Sequence, residues 1–216
     1  MRIALCQIDT TVGDLQGNRD RALDAVREAA SQGAVLALLP ELTLTGYPPR
    51  DLLDRPAFVA ENLRVLDELA AEVPQQIAVL CGFVERSDGP QPSLFNAVAL
   101  LQGGAVRQVF RKRLLPTYDV FDEDRYFEPG TGTDVFELSG TCFGVTICED
   151  VWNAVESPLR RLYDSDPVAD VVAGGADVLL NIAASPFTLV KRTGRPDMLA
   201  AIARKHGRPL VFVNLV

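Results

Sequence analysis

Short apolar runs bounded by Gly, Pro and charged residues recur along this chain, and between them lie stretches whose apolar residues return every three or four positions. Runs of the first kind read as buried strands and stretches of the second kind as amphipathic helices. That alternation confines the chain to an α/β architecture. RIALCQI and AVLALLP are the first two predicted strands. The helix between them is predicted over 18–32, where Ala22, Leu23, Val26, Ala29 and Ala30 share one face and Gly33 stops the run. A second helix is predicted over 57–72, with Leu63, Leu66, Leu69 and Ala70 turned inward. IAVLCGFVE, FNAVALLQ and AVRQVFRK read as three successive strands, the last two joined by a Gly103-Gly104 hairpin turn. A long acidic, aromatic-bearing loop over 115–132 leads to VFELSGTCFGVTICED, which reads as a further hairpin, and DVLLNIAAS is another strand. A last helix from Pro196 to His206 and a last strand, PLVFVNLV, complete the pattern. Crossovers and hairpins together require a mixed sheet, or a pair of sheets, covered by helices.

At 216 residues and 48% hydrophobic, the chain is long enough for one substantial core, and a single domain over 1–216 is expected. The net charge of -8 argues against nucleic acid, whose phosphates require clustered Lys and Arg. No run approaches the roughly 18 apolar residues of a membrane span, and MRIALCQIDTTVGD lacks a signal-peptide core. A cytoplasmic protein is expected. The sequence stops within an apolar strand that has no polar tail, so a piece of something longer is expected.

With one histidine, His206 at a predicted helix end where it reads as a surface or capping residue, the usual Ser-His or Cys-His base has few places to come from, and no His or Cys pair has zinc-ligand spacing. A thiol with carboxylate and ammonium helpers is the economical remaining scheme. Cys6, Cys81 and Cys142 occupy predicted strand interiors and read as small core residues. Cys148 ends the run GVTI and is followed by Glu149, Asp150 and Trp152, so its thiol leaves the core at a strand end, where open α/β sheets place ligands. Acidic neighbours raise a thiol pKa, so a cation must offset them. Lys112, ending AVRQVF, is the candidate, with an edge-strand charge cluster as the plain alternative. Glu41, after Pro40 at the end of a buried strand, is the candidate proton carrier, with a helix-cap or loop acid as its plain alternative.

Three segments, LLPELTLTGYPPRDLL, FRKRLLPTYDVFDEDRYFEPG and FGVTICEDVW, resemble the three signature regions of the nitrilase, or carbon-nitrogen hydrolase, superfamily, and they stand in its order of Glu, Lys and Cys. Within that superfamily TGYPPRDLL, LLPTYDVFDEDRYF and CEDVW are similar to the glutaminase domains of glutamine-dependent NAD synthetases. The resemblance covers essentially the whole chain. It implies a four-layer αββα sandwich that commonly pairs into larger homo-oligomers. It also implies that Cys148 is the nucleophile, Glu41 the general base and then acid, and Lys112 the ammonium on the oxyanion side. Tyr118, Ser185 and Lys191 would contact the amino-acid end of L-glutamine, with Glu149 and Tyr47 as further neighbours of the pocket. Val190 stands where the family pattern has glycine before the lysine. No metal or organic cofactor is implied for the glutaminase half-reaction; ATP and Mg belong to a C-terminal synthetase domain that lies outside this sequence. A stand-alone amidase acting on another small carboxamide, or a non-catalytic interaction domain with the same sandwich, are the alternatives.

Overall fold

The computed structural model describes residues 1–88, 93–118, 121–132, 134–153, 163–186 and 191–216, the side chains of 191–193 excepted. Its first sheet is built in the order β1 (Ile3–Leu5), β2 (Leu36–Leu38), β3 (Ala78–Arg86), β4 (Leu94–Gln102), β5 (Ala105–Arg111). β1, β2 and β3 run parallel, and β3, β4 and β5 antiparallel. The second sheet has the order β6 (Val135–Leu138), β7 (Thr141–Ile147), β8 (Val178–Ala183), β9 (Leu210–Asn214), with β6 antiparallel to β7 and the rest parallel.

Residue alternation along the strands assigns their faces. Leu36, Leu38, Leu80, Val98, Leu100 and Phe110 of the first sheet pack against Phe143, Val145, Ile147, Leu180 and Ile182 of the second. Their neighbours Ala37, Val79, Cys81, Ala97 and Ala99 turn to the other face, under α1 (Leu15–Ser31) and α2 (Pro56–Glu72). Val168 and Val171 of α3 (Pro167–Ala173) and Ile202 of α4 (Lys191–His206) cover Leu179 and Ala176 on the outside of the second sheet. The result is the four-layer αββα sandwich with two mixed sheets.

Some boundaries differ from the sequence reading. β1 and β2 are three residues each, because Pro40 carries no N–H to continue the ladder after Leu39 donates to Leu80 O (2.9 Å). Cys6 therefore lies just past β1 and is half-buried, and Cys142 is half-buried near the start of β7; neither is a strand-interior core residue. α1 starts three residues early, capped by Asp14, whose side chain accepts from Gly17 N (3.0 Å). α4 starts at Lys191, with Pro196 inside it rather than first. A proline so near the start removes one early N–H bond and leaves the later turns intact. The seven-residue α3, capped by Asp166 with Pro167 behind it, was not anticipated. Among the described residues, no helix is long and apolar enough to cross a membrane.

Candidate active site

The carboxyl ends of β2, β5 and β7 meet at one edge of the sandwich, and each delivers one of the anticipated side chains. Glu41 sits in the turn after β2, Lys112 follows β5, and Cys148 follows β7. Although β5 is an edge strand, Lys112 turns inward and is 1% exposed, as is Glu41. Gly82 on β3 lets the Glu41 turn lie flat on the sheet, since a Cβ there would stand 2.3 Å from Leu42 N and 2.4 Å from Pro40 O. Leu42 has φ +47 and Cys148 φ +44. Non-glycine residues in the left-handed region cost about 1–3 kcal/mol each and persist where the surrounding structure fixes them. At Cys148 that backbone begins a short 3-10 turn over Cys148–Val151 and aims the thiol out of the strand.

Glu41 and Lys112 belong to one buried ion network, and the Cys148 thiol feels the charges of both. Lys112 Nζ donates to Glu41 Oε1 at 2.7 Å and to both oxygens of Glu123 at 2.8 Å. Asn96 Nδ2 donates to Glu41 Oε1 (2.8 Å) and to Glu123 Oε2 (3.4 Å), and Tyr47 OH to Glu123 Oε1 (2.8 Å). The remaining oxygen of Glu41 accepts the N–H of Ala184, 2.8 Å away, just past β8. Burial alone pushes the Lys112 ammonium toward neutrality, but Glu123 and Glu41 together outweigh it and hold the lysine protonated, well above the ordinary lysine value. Burial raises the Glu123 carboxyl and, with Glu123 and Glu41 adding, the Tyr47 hydroxyl.

Cys148 is buried, packed with Ile147 and Ala183. Burial first, then the charge of Glu41, push its thiol well above the ordinary cysteine value, and Lys112 pulls it down without prevailing. The lysine acts in the direction the sequence suggested, favouring the thiolate, but it does not outweigh burial and Glu41. Lys112 already answers two carboxylates, so the resting thiol keeps its proton and needs a base to lose it. Of its acidic neighbours, Glu149 faces the site and raises the thiol, whereas Asp150 turns to backbone N–H groups.

The anticipated substrate contacts are brought to the same region with one exception. Tyr118, 44% exposed, donates to both oxygens of Glu149 at 2.9 Å. Ser185 follows Ala184; its N–H is held by Asn214 Oδ1 (2.9 Å) and its hydroxyl accepts from Arg195 Nη2 (2.9 Å). Tyr47 joins the ion network directly. Lys191 is the first residue of α4, but its side chain, and all of Val190, lie outside the described residues. A cavity of about 510 Å³ opens beside Tyr47 and Glu123, walled by Pro49, Arg50, Phe121 and Tyr126. Among the described residues no cluster of His, Cys, Asp or Glu has the makings of a metal site.

Sequence reasoning missed Glu123, Asn96 and Tyr163, whose hydroxyl donates to Glu149 Oε1 (3.2 Å). Asn96 was legible, since a lone amide inside the apolar run FNAVALLQ must find buried partners. Glu123 was not, because it stands among Asp119, Asp122 and Asp124 with nothing local to say which acid turns inward.

Residues 2–214 match the family model described as carbon-nitrogen hydrolase. A glutamine-dependent NAD(+) synthetase of Synechocystis sp. is 38% identical over 99% of this chain and 39% of its own length, and one of Thermotoga maritima 37% identical over 100% of this chain and 35% of its own. The chain thus spans little more than a third of the length of these relatives. Among solved structures, the glutamine-dependent NAD+ synthetase of Acinetobacter baumannii superposes with TM-score 0.86 at 31% identity, over 99% of this chain and 38% of that one. An amidase of Nesterenkonia sp. AN1, whose active-site cysteine adds acrylamide in a mutant, gives TM-score 0.78 at 28% identity over 100% of this chain and 78% of that one. With a family match that runs from the first strand to the last, on a sandwich whose strand ends carry Glu41, Lys112 and Cys148, the chain belongs to the carbon-nitrogen hydrolase family.

Proposed function

We propose that this chain hydrolyses the side-chain amide of L-glutamine through a Cys148 thioester and is the glutaminase part of a glutamine-dependent NAD synthetase. The observation that carries the chemistry is the buried Lys112 ammonium held 2.7 Å from Glu41, beside a thiol presented at positive φ. Glu41 takes the Cys148 proton as sulfur attacks the amide carbon. The carbonyl π electrons move to oxygen, where the Lys112 ammonium and the backbone N–H after the nucleophile receive the negative charge. Glu41 returns the proton to nitrogen as the C–N bond breaks and ammonia leaves. Water, deprotonated by Glu41, then attacks the thioester; glutamate leaves and sulfur recovers its proton. Glu123, Asn96 and Tyr47 fix the lysine and the base, while Glu149, Tyr118, Ser185 and Lys191 receive the amino-acid end of the substrate.

This half-reaction needs no metal or organic cofactor. In the whole protein the ammonia would serve a synthetase domain that amidates deamido-NAD at the expense of ATP with Mg, in a cytoplasmic homo-oligomer. The relatives' names and the LLPTYDVFDE loop support glutamine over other carboxamides. Ammonia release from L-glutamine, compared with release from simple aliphatic amides, is the test. Preference for glutamine, lost in Cys148→Ala, is expected; preference for the aliphatic amides would make the chain an amidase of another specificity.

A further inference from the structure

The two carboxylates that follow Cys148 have different tasks. Glu149 accepts from tyrosine hydroxyls, whereas Asp150, among the described residues, accepts from the main chain. Asp150 Oδ1 receives the N–H of Arg113 (3.1 Å) and of Leu114 (2.9 Å), and its Oδ2 that of Ile147 (2.9 Å). The residue is 2% exposed. The bond to Ile147 is local and would close the 3-10 turn by itself. The other two are not local, because Arg113 and Leu114 follow Lys112 at the end of the first sheet, while Ile147 ends a strand of the second and Cys148 follows it. Among the described residues no strand ladder joins the two sheets, whose facing surfaces are largely apolar; other directional bonds between them, Ala184 N to Glu41 Oε2 (2.8 Å) and Gln108 Nε2 to Val135 O (3.0 Å), do not reach the Lys112 backbone. A carboxylate accepting three N–H groups fixes distance and orientation together. The opposite side of the Lys112 peptide is also held, since Gly130 N donates to Lys112 O at 2.7 Å.

We propose that Asp150 is a positioning residue that bridges the backbone of the nucleophile turn to the backbone of the lysine segment, and so keeps Lys112 in register with Cys148 across the two sheets. It acts through the main chain on both sides and touches no reacting atom. Burial pushes its carboxyl up to about 7 against the pull of the three donors, so the residue is held where it is costly to bury. The inference rests on the reading of Cys148 as nucleophile and is independent of which amide is the substrate.

The test is Asp150→Asn in the full chain. One amide oxygen cannot serve both ends of the bridge, so either the lysine segment or the nucleophile turn is released. The charged groups that act on the Cys148 thiol are Glu41, Lys112, Glu123 and Glu149. Through space, loss of the Asp150 charge would lower the thiol midpoint, whereas withdrawal of Lys112 raises it. The bridge therefore predicts that the pH midpoint for alkylation of Cys148 by iodoacetamide, read on the Cys148 peptide, moves up. It also predicts that kcat falls about 100-fold, as for a catalytic group displaced by about an ångström, with KM unchanged. A midpoint that falls or stays, whatever kcat does, overturns the proposal. Should Asp150→Asn fail to fold, amide hydrogen exchange on the wild-type chain decides: the N–H groups of Arg113, Leu114 and Ile147 must share strong protection, and rapid exchange at Arg113 and Leu114 overturns the bridge. Hydrolysis retained by Cys148→Ala would remove the reading of the thiol itself, which separates the two failures.

Discussion

The two sheets contribute unlike halves of the site. From the first come Glu41, Lys112 and Asn96, all buried and joined with Glu123 by bonds of 2.7 to 3.4 Å. From the second come Cys148, Glu149 and Ser185, where the backbone is strained at the thiol and the partners include the 44% exposed Tyr118. Both halves are buried, but the charge half pairs its polar groups with one another, whereas the thiol half is bordered by the partly exposed Tyr118. Burial makes the first half rigid and costly to disturb, since a buried charge without its partner loses far more than an exposed one. The second half has the exposed hydroxyl and strand-end loop that a small polar ligand requires.

Glu41→Gln breaks the charge half most severely. It keeps shape but cannot carry the proton, and kcat for amide hydrolysis should fall about 10²- to 10⁴-fold with little change in KM. Steady-state ammonia release checks this. Lys112→Met leaves Glu41 and Glu123 buried without their cation and should destabilise the fold by about 3–5 kcal/mol in urea unfolding. The Glu123→Gln variant, which keeps the lysine and one carboxylate, should lose less.

The pH dependence of stability sharpens the comparison further. Asp150 holds its proton in the folded chain up to about pH 7, whereas in an unfolded chain an aspartate releases it near pH 3.9, by the ordinary value. Between those limits the unfolded state binds fewer protons, so this group's contribution to stability falls as pH rises from about 4 to about 7. Urea midpoints at pH 5 and pH 8 should therefore differ, and Asp150→Asn should flatten the slope. The smallest effect belongs to the thiol half: Tyr118→Phe removes one hydroxyl from Glu149, and a loss of about 0.5–1.5 kcal/mol should appear in KM for glutamine rather than in kcat.

Much of this was legible in the sequence. Short continuous apolar runs in AVLALLP, IAVLCGFVE and FNAVALLQ marked buried strands, and the ends of those and later runs marked Glu41, Lys112 and Cys148. The direction of the thiol's pKa was not legible, because it depends on how many acids Lys112 already answers, and Glu123 reaches it from a loop with three other acids nearby. The cap and proline of α3 were present in SDPVAD, but seven residues give too little periodicity to declare a helix. Asp150 read as one more acid raising the thiol; only the meeting of two sheets turns it toward N–H groups 36 and 37 residues away.

The central claim is that Cys148 is the nucleophile of the two-sheet site. A diazoketone analogue of glutamine, incubated with the chain and located by peptide mass spectrometry, tests it most directly. One adduct on the Cys148 peptide, absent from Cys148→Ala and formed far more slowly in Glu41→Gln, is the expected result. Modification at Cys142 in place of Cys148, with loss of glutamine hydrolysis, would contradict it.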